Sequence, residues 1–368
     1  MNLNSLISKA FGLSWMALAL SAFAADDPLP IGQSLSPDYV GENMLMTEVI
    51  PEGNPDLTFR MLIPKGWVQD ELPGMGQPLS AEQFMPLLAI RNGAEERATV
   101  VFHVQALKLV HELRARHLWE FSGRQFGQRP LAMRELSAWF VDSLMAQSIG
   151  TETVHVRQAI LISGRRGILL SGIAPEPLYP EFAEQFGLMV ASFQPAVEPD
   201  NPHVENWLRD ELGDRLSFGY PESWQLQHID IDDGAALRLH WNDPDGTLNS
   251  QIGLEREARL LPKAHAFELI VGLMSEAGLE MSDEFETITL DMVDSPLDAR
   301  GGRVYRANQV DRGRTWTVRM MLFEVAGESI RVWQIQPESE TDFLRWAIST
   351  RALQIVLSTM ELASPSRN

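Results

Sequence analysis

The chain sets out one structural plan twice, over Leu57–Phe193 and again over Leu216–Met360, and this repetition restricts it to two similar domains. LTFRMLIPKGW (Leu57–Trp67) and LSFGYPESW (Leu216–Trp224) read as alternating apolar strands. Each is closed by Pro-x-x-Trp, with Pro64 and Trp67 in the first and Pro221 and Trp224 in the second. VVFHVQALKL (Val100–Leu109) and IGLEREARLL (Ile252–Leu261) follow, and each runs into a helix-period stretch. Val110, Leu113, His117, Leu118 and Phe121 share one face of a first helix, Val110–Ser122; Phe267, Ile270, Val271 and Met274 share one face of a second, Ala264–Ala277. Gly123 and Gly278 are expected to end them, because a left-handed C-terminal residue costs least without a Cβ.

The third block pairs VRQAILISGRRGILLSGIAP (Val156–Pro175) with VRMMLFEVAGESIRVWQIQP (Val318–Pro337). Each copy predicts two strands around a tight turn, Gly164–Gly167 or Ala326–Glu328, followed by an amphipathic helix. The first of these helices carries Phe182, Phe186, Met189, Val190 and Phe193, the second Trp346, Leu353, Val356, Leu357 and Met360. Four strands are expected per copy: Arg129–Glu135, Trp139–Ser148, Thr153–Ser163 and Gly167–Ile173, matched by Thr287–Val293, Arg303–Val310, Thr315–Val325 and Ser329–Ile335. AWFVDSLMAQ, from Ala138, fits a helix equally well by composition, and its alignment with RVYRANQV sets it as a strand. Hairpin connections imply antiparallel sheets, and amphipathic helices must bury a face. The expected class is therefore α+β, two similar domains, each an antiparallel sheet packed with a mid-domain and a C-terminal helix.

This pattern resembles the PsbP-like family, the fold of the extrinsic photosystem subunit, of a eukaryotic Ran-binding protein and of bacterial exported proteins. The resemblance lies in the strand ending in Pro-x-x-Trp, the mid-domain helix, the antiparallel run, and the C-terminal helix ending in Ser192-Phe193 or Ser358-Thr359-Met360. It implies a non-enzymatic domain that docks on other proteins, and it transfers no functional residue.

Residues 1–24 read as a secretory signal peptide, with Lys9 ahead of an apolar core, Phe11–Phe23, and an Ala22-Phe23-Ala24 cleavage signal. The core is shorter than the ~20 residues of a spanning helix. No later segment is apolar enough to cross a membrane, so a periplasmic or secreted protein of a Gram-negative cell is expected. Residues 25–53 read as an extended lead-in with a short strand near Met46–Ile50, 54–194 as the first domain and 195–212 as a linker. Residues 213–362 form the second domain and 363–368 a tail. Pro195, Pro199 and Pro202 make the linker stiff, and Trp207-Leu208 are expected to start a turn.

The chain has no cysteine, which excludes disulfides, thiolate metal sites and cysteine nucleophiles. Its formal charge of −20 argues against nucleic acid and anionic membranes as partners and suits either a basic protein partner or solubility alone, with solubility the favoured reading. No Gly-x-Ser-x-Gly elbow, phosphate-binding loop or dinucleotide fingerprint is present, so neither an enzymatic role nor a cofactor is expected. His103, His111, His117, His228, His240 and His265 lack the spacing of a helical metal site. Asp230, Asp232 and Asp233 before Gly234, and Asp243 and Asp245 before Gly246 with Asn249, are weak candidates for a Ca²⁺ loop, since both lack the closing bidentate Glu. Trp67 and Trp224 are expected in the core, whereas Trp207 and Trp241, in polar surroundings, are candidate interaction anchors or, equally, members of a buried edge contact between the two domains. The primary functional expectation is an interaction or scaffold protein docking through two similar domains. The alternative is a small-ligand or cation-binding protein using the acidic loops or a cleft between the domains, and the third reading is a two-carboxylate hydrolase of no known class.

Overall fold

The computed structural model describes residues 27–32, 34–81, 83–93, 100–231, 234–288, 295–297, 299–309 and 313–362. The segment expected as a signal peptide, Asp232, Asp233 and the expected tail lie outside the described residues. The chain divides into two compact units, one of residues up to Val110 with Arg114–Val204, the other of His111–Leu113 with Glu205 onward.

The first unit opens with α1 (Pro37–Asn43), β1 (Met44–Val49), β2 (Phe59–Pro64), β3 (Val68–Gln69), β4 (Met85–Arg91) and β5 (Val101–Lys108). It continues with α2 (Ala115–Phe126), β6 (Arg129–Ser137), β7 (Phe140–Ile149), β8 (Glu152–Ser163), β9 (Arg166–Pro175), α3 (Tyr179–Ser192) and β10 (Gln194–Pro195). The second unit runs β11 (Trp207–Leu212), β12 (Leu216–Pro221), β13 (Gln225–Ile229), β14 (Gly234–Asn242), β15 (Leu248–Glu257), α4 (Lys263–Glu276) and β16 (Leu279–Ile288). It ends with β17 (Ala299–Gln309), β18 (Arg314–Val325), β19 (Glu328–Pro337), α5 (Phe343–Thr359) and β20 (Glu361–Leu362).

The first unit pairs its strands as β1-β2-β10 and β3-β4-β5-β9-β8-β7-β6; the second as β11-β12-β20 and β13-β14-β15-β19-β18-β17-β16. Every position in the second is the first displaced by ten strands, and all pairings are antiparallel. The class is α+β, with two similar halves, each built on a seven-stranded antiparallel sheet. A matched latch closes each small sheet on its C-terminal helix: Leu62 N donates to Ser192 Oγ at 2.9 Å, and Gly219 N to Thr359 Oγ1 at 2.7 Å.

The cores follow the alternation of the strands. In the first unit Phe59, Phe102 and Phe186 are almost wholly buried together. Each such side chain contributes about 1.5–3 kcal/mol relative to exposure. In the second, Phe267, Ile270 and Met274 of α4 pack on Val318, Met320 and Trp333. The stretch aligned as a strand against a helical composition is β7.

Several boundaries differ from the sequence reading. α2 begins at Ala115, five residues late, because Leu109 N bonds back to Arg165 O and Val110 stays exposed. It ends at Gly127 (φ 63°) rather than Gly123, which is buried inside the helix. The segment expected as an extended lead-in contains α1, N-capped by Ser36, and it sends Leu29, Val40 and Met44 into the core. Trp207–Leu212 is strand β11 rather than a turn, held by six residue pairs to β12. The strand expected at Thr287–Val293 lies earlier, as β16, and residues 289–293 are outside the described set.

The lead-in also acts as a strap. Asp27 forms an ion pair with Arg134 at 2.8 Å, Leu29 is buried, and Pro30 O accepts from Arg157 Nη1 at 3.0 Å. Gly187 of α3 permits this, since a Cβ there would overlap Pro30 O. Beneath the strap, Arg157 has no exposed surface and donates to both oxygens of Asp142, at 2.7 and 2.6 Å.

Candidate functional site

Each seven-stranded sheet ends in a long strand with one neighbour among the described residues, β6 in the first unit and β16 in the second. The opposite edges, β3 and β13, are only two and five residues long. An open edge presents backbone N–H and C=O groups that a strand from another chain can pair with. On β6, Glu135 is bonded to Arg114 and Arg134 to Asp27, which turns these neighbours to opposite faces. Leu131, Met133 and Leu136 are exposed along this edge, and Phe126 is exposed at the end of α2.

The edge of β16 has a different character. It carries Glu280, Asp283, Glu284 and Glu286, all exposed, beside an exposed Phe285. Phe285 stacks on Tyr305 at 5.4 Å, and the Arg303 guanidinium lies 4.2 Å from its ring centroid. Both edges are interrupted by register shifts, at Pro130/Ala132 and Glu135/Ser137 in β6 and between Met281 and Phe285 in β16. Charges and bulges of this kind oppose pairing with an identical edge, while leaving a strand of opposite charge free to dock.

The acidic turn after β14 is organised by internal bonds. Asp243 Oδ1 accepts from Asn249 Nδ2 at 2.8 Å and Oδ2 from Arg345 Nη2 at 2.9 Å, while Asp245 Oδ1 accepts from Thr247 N at 2.9 Å. The hydrogen bond from Thr247 holds the Asp245 carboxyl below its ordinary pKa. These are the bonds of an Asx turn anchoring α5 through Arg345. Asp230 is exposed at the end of β13. Among the described residues no three His, Asp or Glu side chains converge as a metal site requires. Beside the turn lies a cleft of about 300 Å³, lined by Asn249, Arg314, Trp316, Thr341, Asp342 and Arg345 among others.

Trp241 is buried, with its ring 6.2 Å from Trp224 and 5.1 Å from His111, because it falls on the inward face of β14. It therefore offers no exposed anchor. Trp207 is half-buried and donates from Nε1 to Glu112 Oε1 at 3.1 Å. Trp224 is buried, and Trp67 packs partly buried against Phe182 and Phe186. The histidines stay dispersed. His103 and His240 have pKa values below 6.5, chiefly because burial disfavours the imidazolium; Asp70 opposes this at His103 and Arg238 reinforces it at His240.

One buried charge cluster escaped the sequence reading. Glu255 accepts from Arg238 Nη2 at 2.7 Å and Trp333 Nε1 at 3.3 Å, and pairs with Arg331 Nη2 at 3.1 Å. Its members come from β14, β15 and β19, so only the strand order brings them together.

No protein-family model matches the chain. No curated protein matches it either. The fold is similar to the solution structure of cyanobacterial PsbP from Synechocystis, at 12% identity over 42% of this chain and 92% of that one, with a TM-score of 0.32. It is also similar to the apo T6SS immunity protein TplEi of Pseudomonas aeruginosa, at 10% identity over 88% and 97%, TM-score 0.21. A third similar structure is the Tle4–Tli4 complex, at 10% identity over 82% and 98%, TM-score 0.20.

Proposed function

We propose that the chain is an exported, non-enzymatic protein-interaction protein whose two PsbP-like units each dock a partner segment along the open edge of the large sheet. The observation that carries this reading is the recurrence, at the same topological position in both units, of a nine- or ten-residue edge strand with exposed apolar side chains. Strand addition gives affinity through main-chain bonds and specificity through alternate side chains. The four carboxylates along β16 favour a basic strand there, in keeping with the acidity of the whole chain. Two modest sites on one chain raise effective concentration and strengthen binding without further contacts. The leader at 1–24 directs export, with Ala25 as the mature N-terminus. Among the described residues no helix is long and apolar enough to cross a membrane.

Capture from envelope extract tests the proposal. Met133→Asp and Phe285→Asp should each weaken retention of a captured partner by roughly thirtyfold, the scale of a ~2 kcal/mol hot spot, and together should abolish it. Retention by the double variant equal to that of the unaltered protein would sink the edge-docking reading. Undiminished capture by one unit alone would remove bivalency.

A further inference from the structure

The two units place an arginine at the same point, Arg157 on β8 and Arg319 on β18, each directly after the valine that opens the matched block. The registers agree: Asp142 lies opposite Ala159 and Gly302 opposite Met321, each two residues beyond its arginine. In the first unit Asp142, Tyr179 and Pro30 O surround the guanidinium. In the second, glycine replaces the aspartate, and a side chain at 302 is excluded because its Cβ would lie 2.9 Å from Ile288 Cβ and 3.0 Å from Cδ1. Ile288 itself stands opposite Gly302, where the first unit has Arg134 opposite Asp142.

Arg319 is left with Thr350 Oγ1 at 3.5 Å and the Trp346 ring at 5.9 Å. Burial, with no counter-charge among the described residues, pushes its pKa down to about 10. At Arg157 burial acts in the same direction, but Asp142 and Tyr179 outweigh it and the pKa is raised. Two amides in the same layer are each satisfied at one end only. Gln334, opposite Arg319, and Gln336, opposite Thr317, have no exposed surface, and Gln334 Oε1 and Gln336 Nε2 lack hydrogen-bond partners among the described residues. Arg319 and Trp346 each keep some exposed surface, although the guanidinium itself is largely desolvated.

We propose that Arg319 binds the carboxylate of a small organic acid, which supplies from solution the counter-charge that Asp142 gives Arg157. The planar guanidinium fork matches a carboxylate in bidentate fashion, as Arg157 and Asp142 show within this same chain. The Trp346 ring offers an apolar wall for the carbon chain of the acid. Gln336 Nε2 provides a further donor in the same layer.

Sodium acetate is the probe, compared with sodium chloride at equal ionic strength on the whole protein. Acetate should raise the unfolding temperature saturably and shift the Arg319 Nε resonance with the same midpoint. Arg319→Met should lose the saturable response. A variant carrying Gly302→Asp with Ile288→Gly, which removes the side-chain atoms nearest a Cβ at 302, places a carboxylate inside the unit, and it should fold and no longer respond to acetate. An equal effect of chloride, or an acetate response retained in either variant, overturns the proposal. Protection by N-acetyl-aspartyl amide without protection by acetate also overturns it, because the carboxylate would then come from a polypeptide.

Discussion

The fully buried pair of Arg157 and Asp142 shows how one side chain can control a whole layer. Removing one partner leaves an uncompensated charge in the interior, which costs about 3–5 kcal/mol, far more than an exposed pair is worth. Asp142→Asn should lower the urea-unfolding free energy by that amount, whereas Glu48→Gln, which breaks the exposed pair with Arg60, should change it by less than ~1 kcal/mol. The histidines set a pH dependence of definite sign. His103 and His240 have depressed pKa values in the folded chain, so the unfolded chain takes up protons first. The stability they contribute is full above the unfolded value of 6.5 and is lost as pH falls through the folded values. The unfolding temperature should therefore fall as pH is lowered below about 7, and His103→Gln with His240→Gln should flatten that slope. None of these partnerships was legible from spacing. Asp142 and Arg157 are fifteen residues apart and meet across a strand pair, where local periodicity carries no information.

At the scale of elements, long amphipathic helices and hairpins could be read directly. α4 sits within one residue of its expected start and end, because apolar residues at i, i+3 and i+4 recur through it. The start of α2 could not be read, since Val110 and Leu113 continue the helical period while their backbone is not helical. α1, β3 and β13 are too short for any period to show, and Asn92 with Gly93 between β4 and β5 gives only a turn signal. The open edges were hidden for a different reason: an edge is defined by the neighbour it lacks, which is topology rather than composition. The strap makes a testable element. Gly187→Ala forces a methyl group onto Pro30 O, an overpacking of about 1–3 kcal/mol. Hydrogen exchange should show residues 27–32 losing protection while β8 and β9 keep theirs. Gly41→Ala, with open space around its Cβ, should leave both unchanged.

For the whole molecule, repetition was the feature most fully legible, and the strand orders reproduce it element by element. Divergence between the copies was not legible, because positions such as 142 and 302 become equivalent only once the registers are known. The two hydroxyl latches are the best matched pair. Ser192→Ala and Thr359→Val should each cost about 0.5–1.5 kcal/mol in chemical unfolding, and with no shared partners the losses should add. A chain with the same latch in both halves carries its own reference. When one latch is perturbed, the untouched one experiences the same buffer, temperature and concentration in the same tube. The ratio of amide exchange at Leu62 to that at Gly219 then isolates the local effect from every error common to both.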